Sequence, residues 1–463
     1  LYEQTMFLMK SKIFLWLTSC LALTLVSCLG DNAWDNVPYE VDKNCQILSF
    51  SVESDSLPAL TDVRFTIDQI NEQIMNLDSM DFGTVIEDKV IAKISTGEYV
   101  SKIQMIPQAT GDTLDWESGD SLDISQPVQI LIYNAGGTIQ RTYDMWVNIH
   151  QMVPDSMVWK QHTAQALGEN VAEEKVIQYA DAYYMYVQSS ANEGYRLYTS
   201  AINDAITWNE ASLAGLPSNG LRLSQLSFFG DTLYVPGENG TLYQTTDAHN
   251  WSLVENTPFV HAVLGGMKES VDQPAVLAAI VNDNNELKFA SMNKAGEWSI
   301  GASVPDNFPV EGYAALPVSL MYRERIMLAG GKTKSGALVN SVWATMDALT
   351  WSEQTDAYGS YLFSKRQGSS IAYYDEMYYL IGGIGENNQP LKDIYRSSDY
   401  GVTWNYIDSL IVLPTNYQAR GFASLLVDPD NYLMIFGGKS SEKGNVIGDI
   451  WRGRINRLGF ERQ

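Results

Sequence analysis

The sequence predicts an all-β protein, and three observations carry that expectation. Aromatic residues make up 11% of the 463 residues, charged residues only 18%, and Gly occurs 35 times. That balance favours strands and turns over helices or disorder. Short apolar runs alternate with polar residues at period two between clusters of Gly, Asn and Asp. Beyond residue 156 a unit of about 50 residues recurs, the length of one repeat in several repeat architectures.

The first element is an address. Lys10 and Lys12 precede an apolar run from Ile13 to Leu17 that resumes at Leu21 and ends at Val26. A membrane-spanning helix needs about 20 apolar residues, so this is a positive n-region with a short h-region. It closes on Leu25-Val26-Ser27-Cys28, which resembles the lipobox of bacterial lipoproteins. The resemblance implies a signal peptide over 1–27, cleavage before Cys28 and a diacylglycerol on its thiol. Residues 28–44 are polar and without periodicity, a tether. Removing 1–27 leaves 28 basic against 54 acidic residues and Cys45 as the one thiol outside the lipidated one. Without an internal disulfide the core has to hold by burial alone.

A first β domain follows over 45–152. Val128–Tyr133 runs into Asn134-Ala-Gly-Gly137, and in the return strand Tyr143, Met145, Val147 and Ile149 alternate with Thr142, Asp144, Asn148 and His150. Alternation on both sides of a Gly-rich turn is a hairpin with one buried face. Ile47–Val52, Val63–Ile67, Lys89–Ile94 and Ser101–Ile106 supply further strands, with a short helix over Asp68–Asn76 as the alternative reading there. Five or more short strands in such a length resemble an immunoglobulin-like sandwich, without the Cys and Trp pattern of antibody domains.

Met152-Val-Pro-Asp-Ser156 interrupts the pattern, and the repeat begins after it. Trp159, Trp208, Trp251, Trp298, Trp351 and Trp404 stand in similar settings. Aromatic-centred strands recur at Leu197-Tyr-Thr199, Leu242-Tyr-Gln244, Lys288-Phe-Ala290, Val342-Trp-Ala344, Ile394-Tyr-Arg396 and Ile450-Trp-Arg452. Apolar strands end in Gly330-Gly331, Gly382-Gly383 and Gly437-Gly438. The order (apolar strand, Gly-Gly, loop, aromatic strand, turn, Trp strand) resembles the kelch repeat of β-propellers over 157–457. The expected domain is a six-bladed propeller in which Met157–His162 pairs with the last blade, so that no sheet edge stays open.

Ser397-Ser-Asp399-Tyr-Gly401-Val-Thr403-Trp404 matches the Asp-box, a turn in which carboxylate and hydroxyls take backbone N–H groups and Gly takes the left-handed position. Thr345-Met-Asp347 and Thr245-Thr-Asp247 open weaker relatives. Sialidases carry Asp-boxes, but as structural turns remote from their active site, and their Arg-Ile-Pro is absent here. A polar position recurs near the inner strands: Arg222, Arg366 and Arg420, with Tyr313 in the matching place of the fourth unit. Converging arginines can bind a carboxylate, a sulfate or an acidic sugar. The competing reading, which is favoured, has each arginine bonding backbone carbonyls of neighbouring blades, as kelch arginines do.

Charge and motif content narrow the function. The formal charge of −25 leaves no basic footprint for nucleic acid or an anionic membrane surface. The 3 Cys and 4 His include no metal-ligand spacing, and neither a Gly-x-Ser-x-Gly elbow nor a Gly-x-Gly-x-x-Gly loop occurs. No cofactor or metal is expected. Asn282–Glu286 and Asp428–Asn431 are read as turns rather than Ca²⁺ loops. The whole arrangement resembles cell-envelope lipoproteins of gut Bacteroidetes that join an immunoglobulin-like domain to a kelch or galactose-oxidase-type propeller. Galactose oxidase chemistry needs a Cys that the propeller lacks. The resemblance implies a monomer, lipid-anchored to the outer membrane at its periplasmic face or the cell surface, that binds a glycan or an envelope protein without a recognisable catalytic site. The alternative is a carbohydrate-active enzyme (a mutarotase, lyase or hydrolase) working at the channel mouth.

Overall fold

The structure, a computed structural model, describes residues 45–456 apart from 87–88, 98–99, 168–169, 191–193, 321, 355–360 and 408. The signal segment, Cys28 and the tether lie outside the described residues. The chain divides into two compact units between Pro154 and Asp155. Among the described residues no helix is long and apolar enough to cross a membrane.

The first unit is built from two sheets around one core. Ile47–Glu53, Val90–Thr96 and Ser121–Leu122 form the smaller sheet; the larger has six strands, with Gln73–Asn76 lying parallel to Ile139–Trp146. Alternation decides which face is buried: Val128, Ile130 and Ile132 point inward with Tyr143 and Met145 and meet Phe50, Val52 and Ala92 of the other sheet. Asp68–Asn76 is not a helix. Phe65–Asp68 and Gln73–Asn76 pair as a hairpin, and Asp68 Oδ1 accepts from Ile70 N and Asn71 N across its turn. That local bonding offers the backbone a turn in place of helical bonds. Among the described residues of this unit the one α-helix is Pro58–Thr61, with Pro at its start.

The described residues of the second unit form six antiparallel sheets of four or five strands. The aromatic segments are the third strands, among them Tyr195–Ala201, Leu242–Thr245 and Ile450–Ile455. In five sheets all strands are consecutive in sequence. The sixth joins Ser424–Val427, Leu433–Phe436 and Ile450–Ile455 to Met157–Thr163, the first strand of the unit, with Trp159 opposite Gly453. Cores lie between successive sheets: Phe289 of the third sheet stacks on Trp351 of the fourth at 5.9 Å, and Phe436 of the sixth meets Tyr183 of the first at 5.1 Å. Most of the repeated Trp residues end a turn rather than sit in a strand: Trp208, Trp251, Trp351 and Trp404 each immediately precede a short fourth strand.

The turns before those Trp residues share one hydrogen-bonding scheme. Asp399 Oδ1 accepts from Thr403 N at 2.9 Å and from Ser397 Oγ at 2.9 Å, while Oδ2 accepts from Thr403 Oγ1 at 2.6 Å. Asp347 and Asp247 take the backbone N–H groups two and three residues ahead in the same way. Asp204, which no motif flagged, takes Thr207 N at 3.0 Å. The residue after each Asp has positive φ: Ala205, Ala248, Ala348 and Tyr400. Its carbonyl, or that of the next residue, receives the Trp indole N–H in the turns of Trp208, Trp351 and Trp404. In the turn of Trp251 the Tyr186 hydroxyl donates to Ala248 O at 2.7 Å instead, and the indole nitrogen is left without a partner. At Gly401 a Cβ would land on Met327 Sδ of the fourth sheet, so this turn packs tightly between sheets. These are structural boxes, each fixing a hairpin against its neighbour.

Candidate functional site

Arg366 and Arg420 are fully engaged within their own sheets. Arg366 is completely buried and forms a two-pronged pair with Asp393 at 2.5 and 2.8 Å; it also donates to Ser364 O, Ser364 Oγ and Gly382 O. Arg420 pairs through both terminal nitrogens with Asp449 and donates to Gln418 O and Gly437 O. Its guanidinium lies 4.3 Å from the Tyr417 ring centre, and Trp451 Nε1 donates to the same Asp449 at 2.8 Å. A guanidinium has five N–H donors; Arg366 uses all five and Arg420 four, and both side chains are sealed from solvent. The bonds run to carbonyls and carboxylates of their own sheets rather than of neighbouring blades. Arg366 and Arg420 thus clamp their own sheets, and neither lines the cavity described next.

Arg222 and Tyr313 occupy a different setting. Both line a cavity of about 540 Å³ to which all six sheets contribute, for example through Glu174, Gln225, Gly265, Tyr313, Ser369 and Ala423. The size is that of a small-molecule site. Tyr313 donates its hydroxyl to Val263 O at 2.7 Å, and burial pushes its phenol pKa up. Arg222 precedes a short 3-10 turn over Leu223–Gln225. Its Nε is buried without a hydrogen-bond partner, and the side chain forms no ion pair among the described residues. Burial, and after it the Arg222 charge, lowers the His261 pKa.

The first sheet adds three charged residues in succession, Glu173, Glu174 and Lys175, all facing the cavity. Burial raises the Glu174 carboxyl to a pKa of about 8, opposed by Arg420. Its Oε1 has no hydrogen-bond partner. The carboxyl lies so close over Gly437 that a Cβ there would collide with it, and a Cβ on Gly438 would come within 2.9 Å of Arg420 Cδ. The double glycine of the sixth sheet thus makes room for an acid and an arginine at once. Burial alone lowers the Lys175 ammonium pKa, and Lys175 has no ion-pair or hydrogen-bond partner among the described residues. Burial likewise raises the pKa of Glu173, which faces Lys439 at 3.9 Å.

Sequence reasoning missed this triplet, although three adjacent charges at the head of an apolar strand (Val176 and Ile177 follow) are a signal that a strand edge faces something polar. The cavity wall therefore presents a carboxyl that is protonated at neutral pH, two unpaired cations and several hydroxyls. Such a surface hydrogen-bonds a polyhydroxylated ligand at many points and carries one group able to give or take a proton. Among the described residues no cluster of His, Cys, Asp and Glu is able to hold a metal ion.

Comparison with known proteins accounts for both units. Residues 153–463 match the model of the DUF6242 beta propeller domain, and residues 38–147 match that of the DUF6242 N-terminal domain. A solved structure titled "Structure of YjhT" aligns at 14% identity and a TM-score of 0.43, covering 62% of this chain and 96% of that one. No curated protein matches.

Proposed function

We propose that this chain, which belongs to the DUF6242 family, is a lipid-anchored binding protein of the cell envelope that holds a glycan in the cavity of a six-bladed, kelch-like propeller. The observation that carries the reading is the cavity itself: about 540 Å³, walled by all six sheets and lined by unpaired polar groups. The pairing of Met157–Thr163 with Ile450–Ile455 supports a ring of six blades. The two-sheet core of the first unit supports an immunoglobulin-like spacer. Lys10, Lys12 and the Leu25–Cys28 segment support export and lipidation. A glycan array probed with the protein lacking residues 1–27 tests the ligand class; silence on every glycan, with no thermal shift from hits of a wider metabolite screen, sinks the reading. Detergent-phase partition of the full chain against Cys28→Ser tests the anchor.

One observation favours a second reading, the carbohydrate-active enzyme. A carboxylic acid that keeps its proton at neutral pH is suited to general acid catalysis, and Glu174 is one. Glu174→Gln separates the two: under the binding reading the variant still holds the ligand and no turnover exists to lose, whereas an enzyme keeps binding and loses turnover.

A further inference from the structure

We infer that Arg222 is an anion subsite and that the ligand of the propeller cavity is an acidic sugar, one bearing a carboxylate or a sulfate. The inference rests on the cavity reading and adds the ligand's charge to it. Its basis is a comparison within the molecule. In the fifth and sixth sheets an arginine ahead of the inner strand is neutralised by an Asp that immediately precedes the aromatic strand: Arg366 by Asp393 before Ile394-Tyr395, and Arg420 by Asp449 before Ile450-Trp451. In the second sheet the arginine is Arg222, and the residue before Leu242-Tyr243 is Thr241. The Thr241 hydroxyl is turned to Asn239 Oδ1 at 2.6 Å. The arginine is thus present and its carboxylate is not.

A guanidinium stays charged at every physiological pH, and Arg222 as a residue is only half-buried, so it keeps that charge at the cavity wall without a large cost to the fold. Arg222 Nε is buried and unpartnered. Where its two counterparts are sealed inside their sheets, Arg222 borders the cavity. Glu173, Glu174, Glu238, Glu311 and Glu442 border the same cavity, yet none forms an ion pair with Arg222: its charge reaches Glu173 only at longer range, burial weakens the charge of Glu173 and Glu174, and Glu442 is paired with Lys332. Lys175 adds a second cation without a partner. An incoming carboxylate or sulfate supplies the group that Asp393 and Asp449 supply elsewhere, through the same two-pronged bonding.

The test observes the Arg222 Nε–H resonance by ¹H–¹⁵N NMR of the protein lacking residues 1–27, identified by its absence in Arg222→Gln. D-glucuronate, D-glucose 6-sulfate and D-glucose are the probes. Saturable shifts with either anion and none with glucose support the subsite, and which anion binds more tightly distinguishes carboxylate from sulfate. Arg222→Gln is expected to lower anion affinity at least tenfold, Arg222→Lys less, with the melting temperature of both close to wild type. An unmoved resonance, or an equal shift with glucose, overturns the inference. Glycan binding on the array with an unmoved Arg222 resonance leaves the cavity reading intact and removes this one. A silent array with a shifted resonance keeps Arg222 as an anion subsite of the cavity and removes the glycan as its ligand.

Discussion

The clamp formed by Arg420 and Asp449 gives the sharpest stability prediction. In Arg420→Met the apolar stem is retained and the guanidinium is lost. The Asp449 carboxylate, only 10% exposed, then keeps a single side-chain donor, Trp451 Nε1 at 2.8 Å. Gly437 O and Gln418 O lose their donors as well. Removing one partner of a buried ion pair costs about 3–5 kcal/mol. Replacing both partners with apolar side chains removes the stranded charge, so Arg420→Met/Asp449→Leu should recover about 2 kcal/mol of that loss. The assay is urea unfolding followed by tryptophan fluorescence, with the midpoint shift converted through the common slope. A single variant within about 1 kcal/mol of wild type, a typical figure for an exposed pair, would refute the clamp. So would a double variant no more stable than the single one, and normal stability with lost ligand binding would return Arg420 to the site.

Four further outcomes follow from the same geometry. Arg222→Gln removes an unpartnered donor and should change stability by about 0.5 kcal/mol or less, read in the same urea experiment. Glu174 has a folded-state pKa above its ordinary value, so it destabilises the fold increasingly as pH rises from about 4.5 towards about 8. Glu174→Gln should therefore raise the melting temperature at pH 8 and leave it unchanged at pH 4, with a gain of roughly 1–3 kcal/mol at the upper end; a gain that does not vary with pH would contradict the assignment. Asp399→Ala strips three hydrogen bonds from one turn and should cost about 1–2 kcal/mol, as lost caps do, whereas Asp399→Asn should cost less. Gly401→Ala forces a Cβ onto Met327 Sδ at a positive φ, and a melting temperature equal to wild type would refute the tight packing inferred there.

The repeat was legible because burial dictates it. The second strand of most sheets is buried along nearly its whole length, as in Val276–Asp283 and Met377–Gly385, so its apolar character shows in the sequence. The Asp-box of Asp399 was legible because local hydrogen bonds need particular side chains at fixed offsets. Its relative at Asp204 was hidden because Ile202 stands where the other turns have Thr245, Thr345 and Ser397. The three arginines looked alike because their spacing to the following turn is alike. What separates them is the residue before the aromatic strand, Thr241 against Asp393 and Asp449, and it becomes meaningful only once the sheet brings the two positions together. Glu174 carried no local signal of its altered acidity, which arises from contact with Gly437 at the far end of the repeat.

The strand Met157–Thr163 has a consequence for how the unit comes into being. It is the earliest strand of the propeller to be made, and its partner, Ile450–Ile455, is the last. Throughout synthesis this segment waits as an open template, able to recruit a strand from any neighbouring chain. Lys160, Gln161 and His162 give it a polar stretch unsuited to such capture. Contacts so distant in sequence also form slowly. Maturation of this protein should accordingly be limited by one late event, the meeting of the first and last strands of its second unit.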